Sequence, residues 1–124
     1  MKYLMLAYTG AAGWDDTSIS QEDVARICRE YGQLEARLKD SGEWVASEGL
    51  ADHSQTVTVR PKDGDTVVTD GAYLDAKETI VSYVLIDVET HERAVEIARE
   101  LVSISGETCE VRPVMEMDLP LDIE

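Results

Sequence analysis

The chain has 124 residues, 44% hydrophobic and 30% charged, which suits one globular domain and not a disordered or fibrous chain. Twenty-six acidic residues against eleven Lys and Arg leave a net charge of −15. That argues against nucleic acid and anionic membrane as partners, because both need a basic patch.

Lys2 to Tyr8 alternates with both faces apolar, Tyr3, Met5 and Ala7 against Leu4, Leu6 and Tyr8, and so reads as a strand inside a sheet. This opening run is too short for a secretory leader, and no run can span a bilayer; a cytoplasmic protein is expected. Thr9 to Thr17 reads as a loop carrying Trp14. Ser18 or Ser20 then caps a helix, with Gln21 or Asp23 three residues on. Val24, Ile27, Cys28, Tyr31, Leu34 and Leu38 recur at helical spacing, and Ser41-Gly42 ends the helix.

Glu43 to Leu50 reads as a strand with Trp44, Ala46 and Glu48 on one face and Val45, Ser47 and Gly49 on the other. Gln55 to Arg60 and Thr66 to Thr69 form a β-hairpin around the turn Pro61 to Asp65. Thr79 to Val88 is the most strand-like segment. It places Ile80, Val84, Ile86 and Val88 on one face and Val81, Tyr83 and Leu85 on the other, so it is central. Thr90 caps a second helix with the stripe Ala94, Val95, Ile97, Ala98, Leu101 and Val102, ended by Gly106. Cys109 to Met117 is the last strand. The reading is one domain over residues 1–117 followed by an acidic tail, 118–124.

The order β-α-β-(hairpin)-β-α-β predicts an α+β, ferredoxin-like sheet with both helices on one face. The other face, and Val57 and Val59 of the hairpin, then need a cover. A second copy of the chain is the economical one, so a homodimer is expected. Cys28 and Cys109 lack any Cys-x-x-Cys spacing and read as buried free thiols.

Several blocks resemble the YCII-related family. They are Met1-Lys2-Tyr3-Leu4-Met5-Leu6, the Gly49-Leu50 pair before the Thr/Val hairpin, the stretch Val68 to Glu78, and the ending Glu110 to Glu116. The stretch Asp70-Gly71-Ala72-Tyr73-Leu74-Asp75-Ala76-Lys77-Glu78 is similar to the signature of its DGPF branch, with Ala72 and Tyr73 where the family has Pro and Phe. The resemblance implies a dimeric α/β-barrel of two ferredoxin-like units with their sheets face to face. Some relatives are linked to small-molecule turnover, including lyase-like steps on aromatic compounds, and others to transcription sigma factors. A related branch has a His on the first helix, paired with an Asp. The first helix here has no His, so that dyad does not carry over.

Asp70 and Gly71 read as a turn, with Asp70 the candidate general base if it faces a cleft. Lys77 is the candidate acid or carboxylate ligand, and Gly71, Tyr73, Tyr31, His53 and Glu78 are candidate substrate contacts. Adjacent strand residues point apart, so at most one of Lys77 and Glu78 enters a given pocket. Tyr8, Tyr31, Tyr73 and Tyr83 are expected near one another, with Asp70 as a hydroxyl partner. No phosphate loop or dinucleotide fingerprint is present, and neither cofactor nor metal is expected. Two functions fit these residues. One is a small-molecule site per protomer, bounded by sheet, first helix and the 70–78 loop, with cofactor-independent lyase- or hydrolase-like acid–base chemistry. The other is a non-catalytic dimeric ligand-binding or transcription-associated module.

Overall fold

Both helices are set by their ends. In a computed structural model, which describes residues 1–10, 19–73 and 78–116, helix α1 runs Gln21–Ser41 and helix α2 His91–Ser105. The Ser20 hydroxyl accepts from the Asp23 N–H, and the Thr90 hydroxyl from the Arg93 N–H, each at 3.1 Å. These bonds satisfy donors that a helix start otherwise leaves open. Gly42 and Gly106 close the two helices at φ 81° and 74°, a left-handed conformation that glycine adopts without a Cβ clash. Trp14 and the tail 118–124 lie outside the described residues.

Six strands are described: β1 Lys2–Gly10, β2 Trp44–Gly49, β3 Val57–Lys62, β4 Asp65–Asp70, β5 Glu78–Asp87 and β6 Thr108–Pro113. Four form an antiparallel sheet in the order β2-β5-β1-β6. As expected, the two segments apolar on both faces, β1 and β5, take its centre. The mixed α+β order, antiparallel sheet and paired helices are consistent with a ferredoxin-like fold. β3 and β4 form a separate ribbon. Its strands extend further than expected: Pro61 lies within β3 opposite Thr66, and Asp63-Gly64 alone makes the turn at φ 49° and 82°. Two successive positive φ angles match the twist of a tight hairpin. Pro61 fits because a two-stranded ribbon is all edge.

Two β-bulges correct the expected faces. On β2, Trp44 opposes Ile86 but Ala46 opposes Leu85, leaving Val45 as the extra residue. On β5, Ser82 opposes Ala7 but Ile80 opposes Tyr8, leaving Val81 as the extra residue. Each bulge exchanges the faces of the residues beyond it. Trp44 therefore shares the helix face with Ser47 and Gly49, while Ala46 and Glu48 turn to the open face. Ile80 joins Tyr8 on the open face rather than Val84 on the helix face.

Between helices and sheet lies the core. Tyr3, Met5, Val84, Ile86 and Val88 from the sheet meet Leu34 and Leu38 of α1 and Ala94, Ile97 and Leu101 of α2. Glu43, just before β2, accepts from Arg93 of α2 in a two-bond pair at 2.8 and 2.9 Å, which holds its carboxyl below the usual range. Arg37 of α1 pairs with Glu100 of α2. Among the described residues, no helix is long and apolar enough to cross a membrane.

Candidate functional site

The helix face of the sheet loses bulk from one end to the other. Across the strands β2, β5, β1 and β6, the first row is Trp44, Ile86, Tyr3 and Pro113. The second is Ser47, Val84, Met5 and Val111, and the third is Gly49, Ser82, Ala7 and Cys109. The larger side chains of these rows pack in one cluster with the fully buried Leu34 and Leu38. Over the small row no described residue fills the space, and a cavity of about 570 Å³ lies between the sheet, α1 and α2. That volume lies in the range of small-molecule sites, roughly 300–1,000 Å³.

Ile27, Cys28, Tyr31 and Gly32 of the N-terminal half of α1 line one wall, and Leu101, Val102 and Ser105 of α2 another. This half of α1 stands off the sheet, and Val24 is 48% exposed although it lies on the apolar stripe. For the same reason Cys28, expected to be buried, is exposed, and Cys109 is half-buried. A Cβ built on Gly32 or Gly49 meets no atom within 4 Å. Gly32→Ala is therefore expected to stabilise the fold by about 0.5–1 kcal/mol, the helix-propensity difference, measured by urea unfolding. A loss of stability would mean that the helix already packs closely there.

Most of the wall is apolar, and a few polar groups converge on it. Burial pushes the Tyr31 hydroxyl above its ordinary pKa, the Ser47 hydroxyl opposes this by donating to the phenolate, and the Glu35 charge adds a rise. The Tyr31 ring meets Trp44 edge-on, with centroids 6.1 Å apart. Glu107, in the link between α2 and β6, is half-buried, and desolvation raises its carboxyl pKa. Its backbone N–H donates to the Ser105 hydroxyl at 3.1 Å. Burial, and then the charge of Glu110, push the Cys109 thiol up, so it is a poor nucleophile near neutral pH.

Of the expected site residues that are described, Tyr31 is the one that lines this cavity. Asp70 ends β4 on the exposed ribbon, opposite Val57. Gly71, at φ 98°, is a hairpin closure: its N–H donates to the Thr56 carbonyl at 2.8 Å, and its carbonyl accepts from the Thr58 hydroxyl at 2.6 Å. Tyr73 is 67% exposed. His53 lies in a 3-10 turn, His53–Gln55, with Nδ1 3.8 Å from Asp52 Oδ1. Glu78 is exposed and opens β5 opposite Gly10. Lys77 lies outside the described residues.

The tyrosines do not cluster. Tyr31 is on the helix side, Tyr8 and Tyr83 are on the open face of the sheet, and Tyr73 is on the loop beyond the ribbon. The partner of Tyr8 is Glu110, whose carboxylate bonds the phenol and raises its pKa. Among the described residues, no three His, Cys, Asp or Glu side chains converge to hold a metal. Ser47, Glu107 and the small-residue row went unnoticed as site features. The legible signal was the taper in side-chain size along alternate residues of each strand.

A four-stranded antiparallel sheet with two helices over one face is consistent with a ferredoxin-like fold, with a cavity between the layers. Residues 1–118 match the YCII-related domain, and the chain belongs to that family. It is also similar to an uncharacterized protein of Rhizobium meliloti (strain 1021), 27% identical over 119 residues and covering 92% of each chain.

Proposed function

We propose that the chain is a homodimeric small-molecule-binding protein whose ligand occupies the cavity between sheet, α1 and α2. One observation carries this reading: the described residues leave a cavity over the row Gly49, Ser82, Ala7 and Cys109 in an otherwise close-packed helix face. Native cores rarely leave such voids without a use. Glu78 pairs with Gly10 and Gly49 precedes the hairpin, so the described ends of the 50–78 segment leave the sheet at the cavity end. Asp70, Gly71 and Tyr73 belong to the rim of that end in this reading. The partner copy covers the open sheet face, and the acidic dimer works in the cytoplasm away from nucleic acid and membrane.

Binding is favoured over turnover because Asp70 stands on the exposed ribbon and is not among the residues that line the cavity. Cofactor-independent acid–base turnover is the second reading, and Glu107 favours it: a carboxyl raised by burial inside a cavity is suited to proton transfer. A role beside a transcription factor uses the same ligand site as a sensor.

Ala7→Leu tests the site. Leucine fills the small row without displacing packed atoms, so the variant is expected to melt no lower than the wild type. Small aromatic alcohols, amines and carboxylates that raise the wild-type melting temperature are expected to have no effect on it. Identical ligand responses in both proteins would overturn the cavity assignment. Turnover of a hit, followed by chromatography, separates enzyme from binder.

A further inference from the structure

We propose that the cavity takes an apolar ligand bearing one protonated amine, with Glu107 as its counter-ion. This rests on the small-molecule reading and specifies the ligand's chemistry.

The charge of the lining carries the argument. Among the described residues that line the cavity there is no Lys, Arg or His, whereas the carboxylate of Glu107 is present; Glu48 also borders the cavity, but its side chain is turned to the open face of the sheet. An anionic ligand would lose its hydration there without gaining a counter-charge, and a buried unpaired charge is strongly disfavoured. The chain's net charge of −15 adds a field of the same sign. A cation meets the opposite situation on both counts.

Geometry selects Glu107 as the partner. It sits in the link between α2 and β6, beside the small row, and is half-buried. Its backbone N–H is bonded to Ser105, but no described side chain donates to its carboxylate. Burial alone moves its pKa upward, as expected of a carboxylate without a cation beside it. An ammonium group supplies three donors and a full charge. Tyr31 and Ser47 add hydroxyl acceptors from α1 and β2, while Met5, Val84, Ile27 and Leu101 present the apolar surface that holds the rest of the ligand.

Calorimetric titration of phenethylamine, phenethyl alcohol and hydrocinnamate, which share one apolar body, tests the proposal. Wild-type protein is expected to bind the amine roughly tenfold or more tightly than the alcohol, with the carboxylate weakest, as for a charge-assisted bond. Glu107→Gln is expected to erase the amine's advantage and leave the alcohol's affinity within about twofold, since the glutamine keeps the shape and a hydrogen-bonding group. Glu48→Gln is expected to retain the advantage. Three results overturn the proposal: a carboxylate that binds as tightly as the amine, an alcohol that equals the amine, or an advantage that survives Glu107→Gln. In each of these the compounds still bind, and the cavity reading stands. Binding that Ala7→Leu leaves unchanged for all three compounds overturns the cavity reading itself.

Discussion

Leu34→Ala is expected to destabilise the protein by about 3 kcal/mol, within the usual 2–5 for a buried leucine, while Val24→Ala on the same helix stripe costs under about 0.5 kcal/mol. Leu34 is fully buried in the cluster that holds Tyr3, Met5, Val84 and Ile86, and its removal leaves a void that those side chains cannot close. Val24 lies ten residues earlier, on the half of α1 that stands off the sheet, and half of its surface already meets water. Urea unfolding at a common slope reads both numbers. Equal costs would mean that the N-terminal half of α1 packs as tightly as the C-terminal half, and the cavity between helix and sheet would then be closed. The contrast therefore tests stability and the open site together.

Features with a strong local cause were legible in the sequence. Ser20, Thr90, Gly42 and Gly106 mark helix ends because each satisfies a backbone requirement that few other residues meet. β1 and β5 read as central because residues on both faces are apolar. The bulges at Val45 and Val81 were not legible. One added residue leaves the local alternation intact and changes only which partner stands opposite, and that is a tertiary fact. Ala46 and Ile80 were assigned to the wrong faces for this reason.

The site was less legible than the fold. A cavity is an absence of bulk, and Gly49, Ser82, Ala7 and Cys109 are unremarkable one at a time; they matter because the sheet register sets them in one row. Tyr31 was found because an aromatic with a polar end on an apolar stripe invites a question about its hydroxyl. Glu107 was missed because a glutamate in a link between helix and strand looks solvated until α2 and β6 half-enclose it. Asp70 drew notice through its place in the signature stretch, yet on the ribbon it stands exposed opposite Val57.

Leu6→Asp is expected to convert a dimer into a folded monomer. On the open face of the sheet, Leu4 and Leu85 face each other across β1 and β5, as do Leu6 and Tyr83, all half-buried in the single chain. Charged residues border this strip: Glu48 on β2, and Glu110 and Arg112 on β6. The ribbon adds Val57, Val59 and Val68, each more than half exposed, on one of its faces. An apolar strip with a charged border has the anatomy of an interface core and rim, and a two-fold axis brings the same strip from two copies together. Leu6 sits in the middle of it, with Tyr83 on one side and Glu110 on the other. Aspartate there would bury one unpaired charge per protomer beside a carboxylate. At about 3 kcal/mol each, two such charges weaken the dimer by roughly four powers of ten. The helix-face core is untouched, so the circular dichroism spectrum should stay native while sedimentation at micromolar concentration shifts from dimer to monomer. A wild type that already sediments as a monomer, or a Leu6→Asp variant that remains a dimer, would show that another surface or partner covers this face.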